Sequence, residues 1–120
     1  QLDMMRQFLI RKIELFNKFS PSDKSSAKIL LEELEWQEIE AFLENAENHF
    51  VSKLHKRFPL LDLSDYRFMM LLRLDLPSKS LARILGVNEG TIRHKSYMLK
   101  QRLEITDKSV SLRQYLVNLS

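Results

Sequence analysis

The sequence predicts an all-α protein, and three observations carry that expectation. Only two glycines and three prolines occur among 120 residues, so the residues that interrupt helices are scarce. Leu, Lys, Arg, Glu and Met fill much of the rest, and all of them favour helix. Alternating apolar and polar runs bounded by turn residues, the mark of strands, are missing.

The first element spans residues 2–19. Leu2, Met5, Leu9, Ile13 and Phe16 recur at spacings of three and four, and Phe8, Leu15 and Phe19 widen the same apolar face. A lone helix of this length is marginal in water. It must pack on the rest of the chain, on residues outside it, or on a second copy. Residues 20–26 break the pattern. Pro21 disfavours helix at Ser20, and the neighbouring serines and Asp23 supply turn and cap chemistry.

Helix is expected to resume near Ala27 and to run to residue 57. Ile39, Phe42, Leu43, Ala46, Phe50 and Leu54 fall at helical spacing, with Trp36 leading the stripe. Ile29, Leu30, Leu31 and Leu34 do not run smoothly into that register, which places a kink or short break near residues 35–37. Glu32, Glu33, Glu35, Glu38, Glu40, Glu44 and Glu47 make the outer surface acidic. That surface reads either as a solvated face or as a docking face for a partner.

Phe58-Pro59 ends this stretch. Ser64 is then an N-cap for a helix over residues 65–74, with Asp65 favourable at the positive end. Tyr66, Met69, Met70 and Arg73 share one face and Phe68, Leu71 and Leu72 another. A helix apolar nearly all round suits the centre of a small bundle.

Residues 76–94 are the most informative. Ser78 can cap a short helix over residues 78–85 whose inner face is Leu81, Ala82 and Leu85. Gly86 follows where a left-handed backbone is wanted. Val87 is expected to point back into the core, and Asn88 to cap the next helix, residues 89–103. Two helices joined by a tight glycine-containing turn form the helix-turn-helix motif.

On the second helix, Ile92, Ser96, Leu99 and Leu103 form the inner face. The opposite face presents Gly90, His94, Tyr97, Met98 and Gln101. Arg93 and Lys100 lie on one flank, Lys95 and Arg102 on the other. A narrow apolar anchor, an outward face of hydrogen-bonding side chains and flanking cations are what a helix in a DNA major groove requires. Arg93 can pair with guanine or clamp phosphate. Lys79, in the first turn of the preceding helix, suits phosphate rather than base. Tyr97 reads as a DNA contact or as partly buried surface. Gly90 reads as a point of close backbone approach or as a neutral surface position. The expected DNA-facing set is Lys79, Asn88, Gly90, Thr91, Arg93, His94, Lys95, Tyr97, Lys100 and Gln101. Residues 104–109 form a polar link. Ser109 or Ser111 then caps a last helix through Leu119, with Leu112, Tyr115, Leu116 and Leu119 as its apolar face.

Charge agrees with this division. Residues 1–50 carry 6 Lys/Arg against 10 Asp/Glu, a net −4, and residues 51–120 carry 13 against 6, a net +7. A basic half beside an acidic half points to a polyanion as partner of the former.

Other classes are disfavoured. Without cysteine there is no disulfide scaffold and no thiolate metal site. His49 and His55 are six apart, not at a chelating spacing. No nucleotide-binding glycine loop, zinc motif or Ser/His/Asp order is present. Neither enzyme activity, metal nor cofactor is expected. No apolar run reaches the roughly 18–20 residues that span a bilayer, and no secretory signal is evident. The expectation is a soluble, cytoplasmic protein without membrane contact. A chain beginning at Gln1 reads as a piece of a longer one.

These residues resemble the LuxR-type helix-turn-helix domain, in the variant found at the C-terminus of tetratricopeptide-repeat transcriptional regulators of Bacteroidetes. The resemblance rests on Phe58-Pro59, on Leu63-Ser64, on the run from Leu72 through Pro77 and Ser78 to Ala82, on Leu85-Gly86-Val87-Asn88, on Thr91-Ile92-Arg93, and on Tyr97 through Leu103. Trp36, Phe42, Phe50 and Leu54 are similar to that variant's linker helix, so the likeness covers residues 36–119. Asp75 stands where the family has Gly, and Ser80 where it has Glu. Ser96, Met98 and Gln101 stand where it often has Arg or Lys, which leaves the helix less basic and DNA affinity weaker or more dependent on dimerisation.

The expected division is residues 1–57 as a helical, coiled-coil-like linker and dimerisation segment, whose pairing is read from the apolar stripes at residues 2–16 and 36–54, and residues 58–120 as the four-helix LuxR-type DNA-binding domain that the resemblance implies. It implies a last helix that forms a dimer contact; closure of the core is the other reading of that helix. The expected function is sequence-specific transcriptional regulation as a homodimer on double-stranded DNA, and the resemblance implies an upstream sensor that biases dimer geometry or exposure. The alternative is an interaction module that docks on RNA polymerase or a regulatory partner, since the pattern also resembles a region of sigma factors.

Overall fold

The computed structural model describes residues 2–19 and 31–120, with the side chains of 2–12 and 31–120. The described residues form seven helices and no strand: α1 (Leu2–Phe19), α2 (Glu33–Ala46), α3 (Phe50–Arg57), α4 (Leu63–Arg73), α5 (Ser78–Leu85), α6 (Glu89–Arg102) and α7 (Leu112–Leu119). The all-α expectation holds. The turn expected at residues 20–26, the helix start near Ala27 and the side chains of Ile13, Leu15, Phe16 and Phe19 lie outside the described residues, but Leu31 and Glu32 are described and not helical, so helix expected to run unbroken to residue 57 begins instead at Glu33.

Helix α4 is the hub. Tyr66, Phe68, Met69, Met70, Leu71 and Leu72 are all buried, as its all-round apolar sequence demands. Helices α2 and α7 pack on it, and α7 also touches α3 and α6. One hydrophobic cluster joins Leu9 of α1, Trp36, Ile39 and Leu43 of α2 and Phe50 and Leu54 of α3 to α4, α5, α6 and α7. The core is therefore continuous across residue 57. Leu112 and Leu116 of α7 are buried in it, which makes α7 a closing element of the core.

Several local expectations are corrected. The stretch 33–57 is not one helix kinked near residues 35–37. It breaks at residues 47–49, where Asn48 and His49 both take left-handed backbone angles, φ 60° and 59°. Asn tolerates that region better than most residues. The break is stabilised from both sides. His49 N–H donates back to the Glu44 carbonyl at 3.0 Å, and the Glu44 carboxylate accepts from Ser52 N–H at 2.8 Å. An anion thus sits at the positive end of α3.

The cap of α4 is Asp62, whose carboxylate accepts from Asp65 N–H at 2.9 Å, not Ser64. Pro77 rather than Ser78 precedes α5, and no side chain caps it. The buried residues of α5 are Leu81, Ala82 and Ile84, with Leu85 only partly covered. Val87 is 40% exposed rather than turned inward. Of the two expected caps of α7, Ser111 serves, accepting from Gln114 N–H at 3.1 Å. Ser109 instead bonds Asp107.

Candidate nucleic-acid interface

The turn between α5 and α6 follows from two residues. Gly86 lies at φ 69°, ψ 35°, a left-handed conformation that an L side chain resists. Its N–H and that of Val87 both return to the Ala82 carbonyl. Asn88 then caps α6, its Oδ1 accepting from Thr91 N–H at 2.8 Å and from Thr91 Oγ1 at 3.0 Å. Three residues therefore reverse the chain and start a new helix.

Helix α6 has 14 residues, about 21 Å at 1.5 Å per residue. Ile92 and Leu99 are buried on it, and Leu103 just beyond its end. Ser96 of the expected inner face is only partly covered. With that stripe held in the core, the far side is open. Gly90, Arg93, His94, Tyr97, Met98 and Gln101 are all exposed, Tyr97 at 59%. Gln101 Nε2 donates to the Tyr97 hydroxyl at 2.8 Å, one turn apart, so the two present one polar ledge.

The ten expected DNA-facing residues separate into groups. Lys79, Arg93 and His94 are exposed, and among the described residues none has a hydrogen-bond or ion-pair partner. Tyr97 and Gln101 pair with each other on the same open face. Asn88 and Thr91 are exposed but use their side chains in the cap. Gly90 has a local reason to lack a side chain: a Cβ there would lie 3.2 Å from Asn88 Oδ1, crowding the cap.

Lys95 and Lys100 depart furthest from expectation. Lys95 Nζ donates to Ser64 Oγ at 3.1 Å, lies 3.9 Å from the Asp65 carboxylate and sits over the Phe68 ring at 5.4 Å. Lys100 Nζ donates to the Asp107 carbonyl at 2.9 Å. Arg102, on the Lys95 flank, hydrogen-bonds Asp65. Of the four Lys and Arg on α6, only Arg93 is unpartnered among the described residues.

Sequence reasoning missed Asp62, Ser64 and Asp65 as partners of this surface. Asp65 lies 37 positions before Arg102, and in sequence it is one more acidic residue at a helix start. Asp62, accepting the Asp65 N–H and lying near Lys95 and Arg102, is held below the usual carboxylate range. Asp107 is likewise lowered, by the two Ser109 hydrogen bonds and by Lys100. The loop before α4 and the loop after α6 are thus each anchored by an ionised carboxylate.

No family model, curated protein or solved structure matches this chain.

Proposed function

We propose that the chain is a sequence-specific DNA-binding transcriptional regulator of the LuxR type, cytoplasmic and homodimeric. Residues 58–120 serve as the helix-turn-helix domain and residues 1–57 as the helical linker through which copies pair. Helix α6 enters the major groove, and α5 crosses the phosphate backbone with Lys79 toward it.

One observation carries this reading. Helix α6 is anchored by a narrow buried stripe and turns an open face of Arg93, His94, Tyr97 and Gln101 outward. Those side chains offer the donors, acceptors and aromatic surface that base edges require. Selection from a pool of randomised duplexes tests it. The reading expects a recurrent motif, with half-sites about 34 Å apart if two copies bind. A selected pool that stays random removes sequence-specific recognition.

A second reading has its own support. Val87, Tyr97 and Met98 are exposed hydrophobics at the turn and on the same helix, and three of its four Lys and Arg bond within the chain. That composition suits docking on RNA polymerase or another protein. Binding that is insensitive to salt separates it from DNA contact.

A further inference from the structure

We infer that Asp65 withholds Lys95 and Arg102 from bound nucleic acid, so that α6 grips a duplex from the Arg93 flank alone. The inference rests on reading α6 as the DNA-contacting helix.

The geometry is asymmetric. Asp65 is buried on α4, 6% exposed, and its own N–H is held by Asp62. Its carboxylate takes a hydrogen bond from Arg102 Nη2, and Lys95 Nζ lies 3.9 Å away. The two cations lie seven residues apart, two turns along one flank of α6, so a single carboxylate collects the whole flank. Lys95 is further held by Ser64 Oγ and the Phe68 ring.

Moving either cation to a phosphate strips a partner from a buried anion. Leaving a buried charge uncompensated is more costly than an exposed ion pair is favourable. The contacts to Asp65 therefore survive DNA binding. On the opposite flank, Arg93 is exposed and Lys100 is held by one exposed carbonyl bond and by the exposed Asp107 carboxylate, contacts that solvent screens, so no buried charge there resists transfer to phosphate.

The test is the salt dependence of duplex binding by the full chain, measured by fluorescence anisotropy. The proteins are the wild type, Asp65→Asn, and Asp65→Asn with Arg102→Gln, each checked for folding by circular dichroism. Asparagine keeps the shape and removes the charge. Each new phosphate contact steepens the log–log slope by about 0.9, so one or two released cations deepen the affinity loss between about 50 and 200 mM salt by ~3- to ~12-fold. Adding Arg102→Gln returns part of that gain.

An unchanged or shallower slope in folded Asp65→Asn, with wild-type binding intact and lost in Arg93→Ala, overturns this inference alone. Absence of binding by wild type and variant alike overturns the reading of α6 and the inference with it. Should Asp65→Asn not fold, the wild type still decides. On adding duplex, the NMR signal of Arg93 Nε–H is expected to move and that of Arg102 to stay. A shift at Arg102 matching that at Arg93 overturns the inference.

Discussion

Arg73 Nη2 lies 3.0 Å from Glu47 Oε2, joining the last residue of α4 to the residue that follows α2. Arg73 is buried at 7% exposure. Its Nε donates to Ser120 Oγ at 2.7 Å, and its guanidinium lies 5.8 Å from the Phe50 ring centroid. Removing Glu47 strands a buried cation. Glu47→Ala is expected to lower unfolding free energy by about 3 kcal/mol, and Glu47→Ala with Arg73→Met to recover most of it. Urea titration measures both. A double variant no more stable than Glu47→Ala contradicts the assignment.

The turn before α6 is a second point of sensitivity. Gly86→Ala forces a Cβ into φ 69° and is expected to cost about 1–2 kcal/mol. Thermal unfolding followed by circular dichroism reads it. A change below about 0.5 kcal/mol shows that the turn relaxes.

Asn88 and Gly90 are expected to be coupled. Asn88→Ala removes the cap and costs about 1 kcal/mol. Gly90→Ala ordinarily stabilises a helix by up to about 1 kcal/mol, but here the new Cβ meets Asn88 Oδ1 at 3.2 Å. The gain is expected only when Asn88 is already alanine, so the double-mutant cycle is non-additive. Additive effects remove the crowding explanation.

These residues also show what sequence can convey. The Gly86 turn and the Asn88 cap depend on neighbours within a few positions, and both were legible. So was the all-round apolar α4. Asp75, which departs from the glycine of the resemblance, takes φ 61°, a conformation Asp visits more readily than most residues. Long-range pairing was not legible. Asp65 chooses Arg102 and Lys95 only once α4 and α6 are packed, and no periodicity announces that. The break at residues 47–49 was misplaced because it depends on Glu44 reaching forward to Ser52, a contact that exists only after the chain has turned. Asp62 and Ser64 were equally able to cap α4.

Acid is expected to destabilise the fold. Glu44, bonded by Ser52 and His49, and Asp62 and Asp107, held as described, all have folded values below the usual range. Glu35 is lowered too: burial pushes it up, but the Glu32 N–H and Lys12 outweigh that. A carboxylate with a depressed folded pKa contributes stability at neutral pH. It loses that contribution as pH falls below about 4 toward the folded value. Melting temperature should therefore be flat from pH 7 to about 5 and fall below about 4. Asp62→Asn should shallow the fall. A melting temperature that rises on acidification contradicts these assignments.

The central claim is that the outward face of α6 contacts DNA, and fluorescence anisotropy of a labelled duplex against this chain tests it most directly. Wild type, Arg93→Ala and Tyr97→Ala are compared across a salt series. The account predicts binding that weakens steeply with salt and falls roughly tenfold or more on Arg93→Ala, with a smaller loss on Tyr97→Ala. No binding at low salt, or binding that both substitutions leave unchanged, contradicts it.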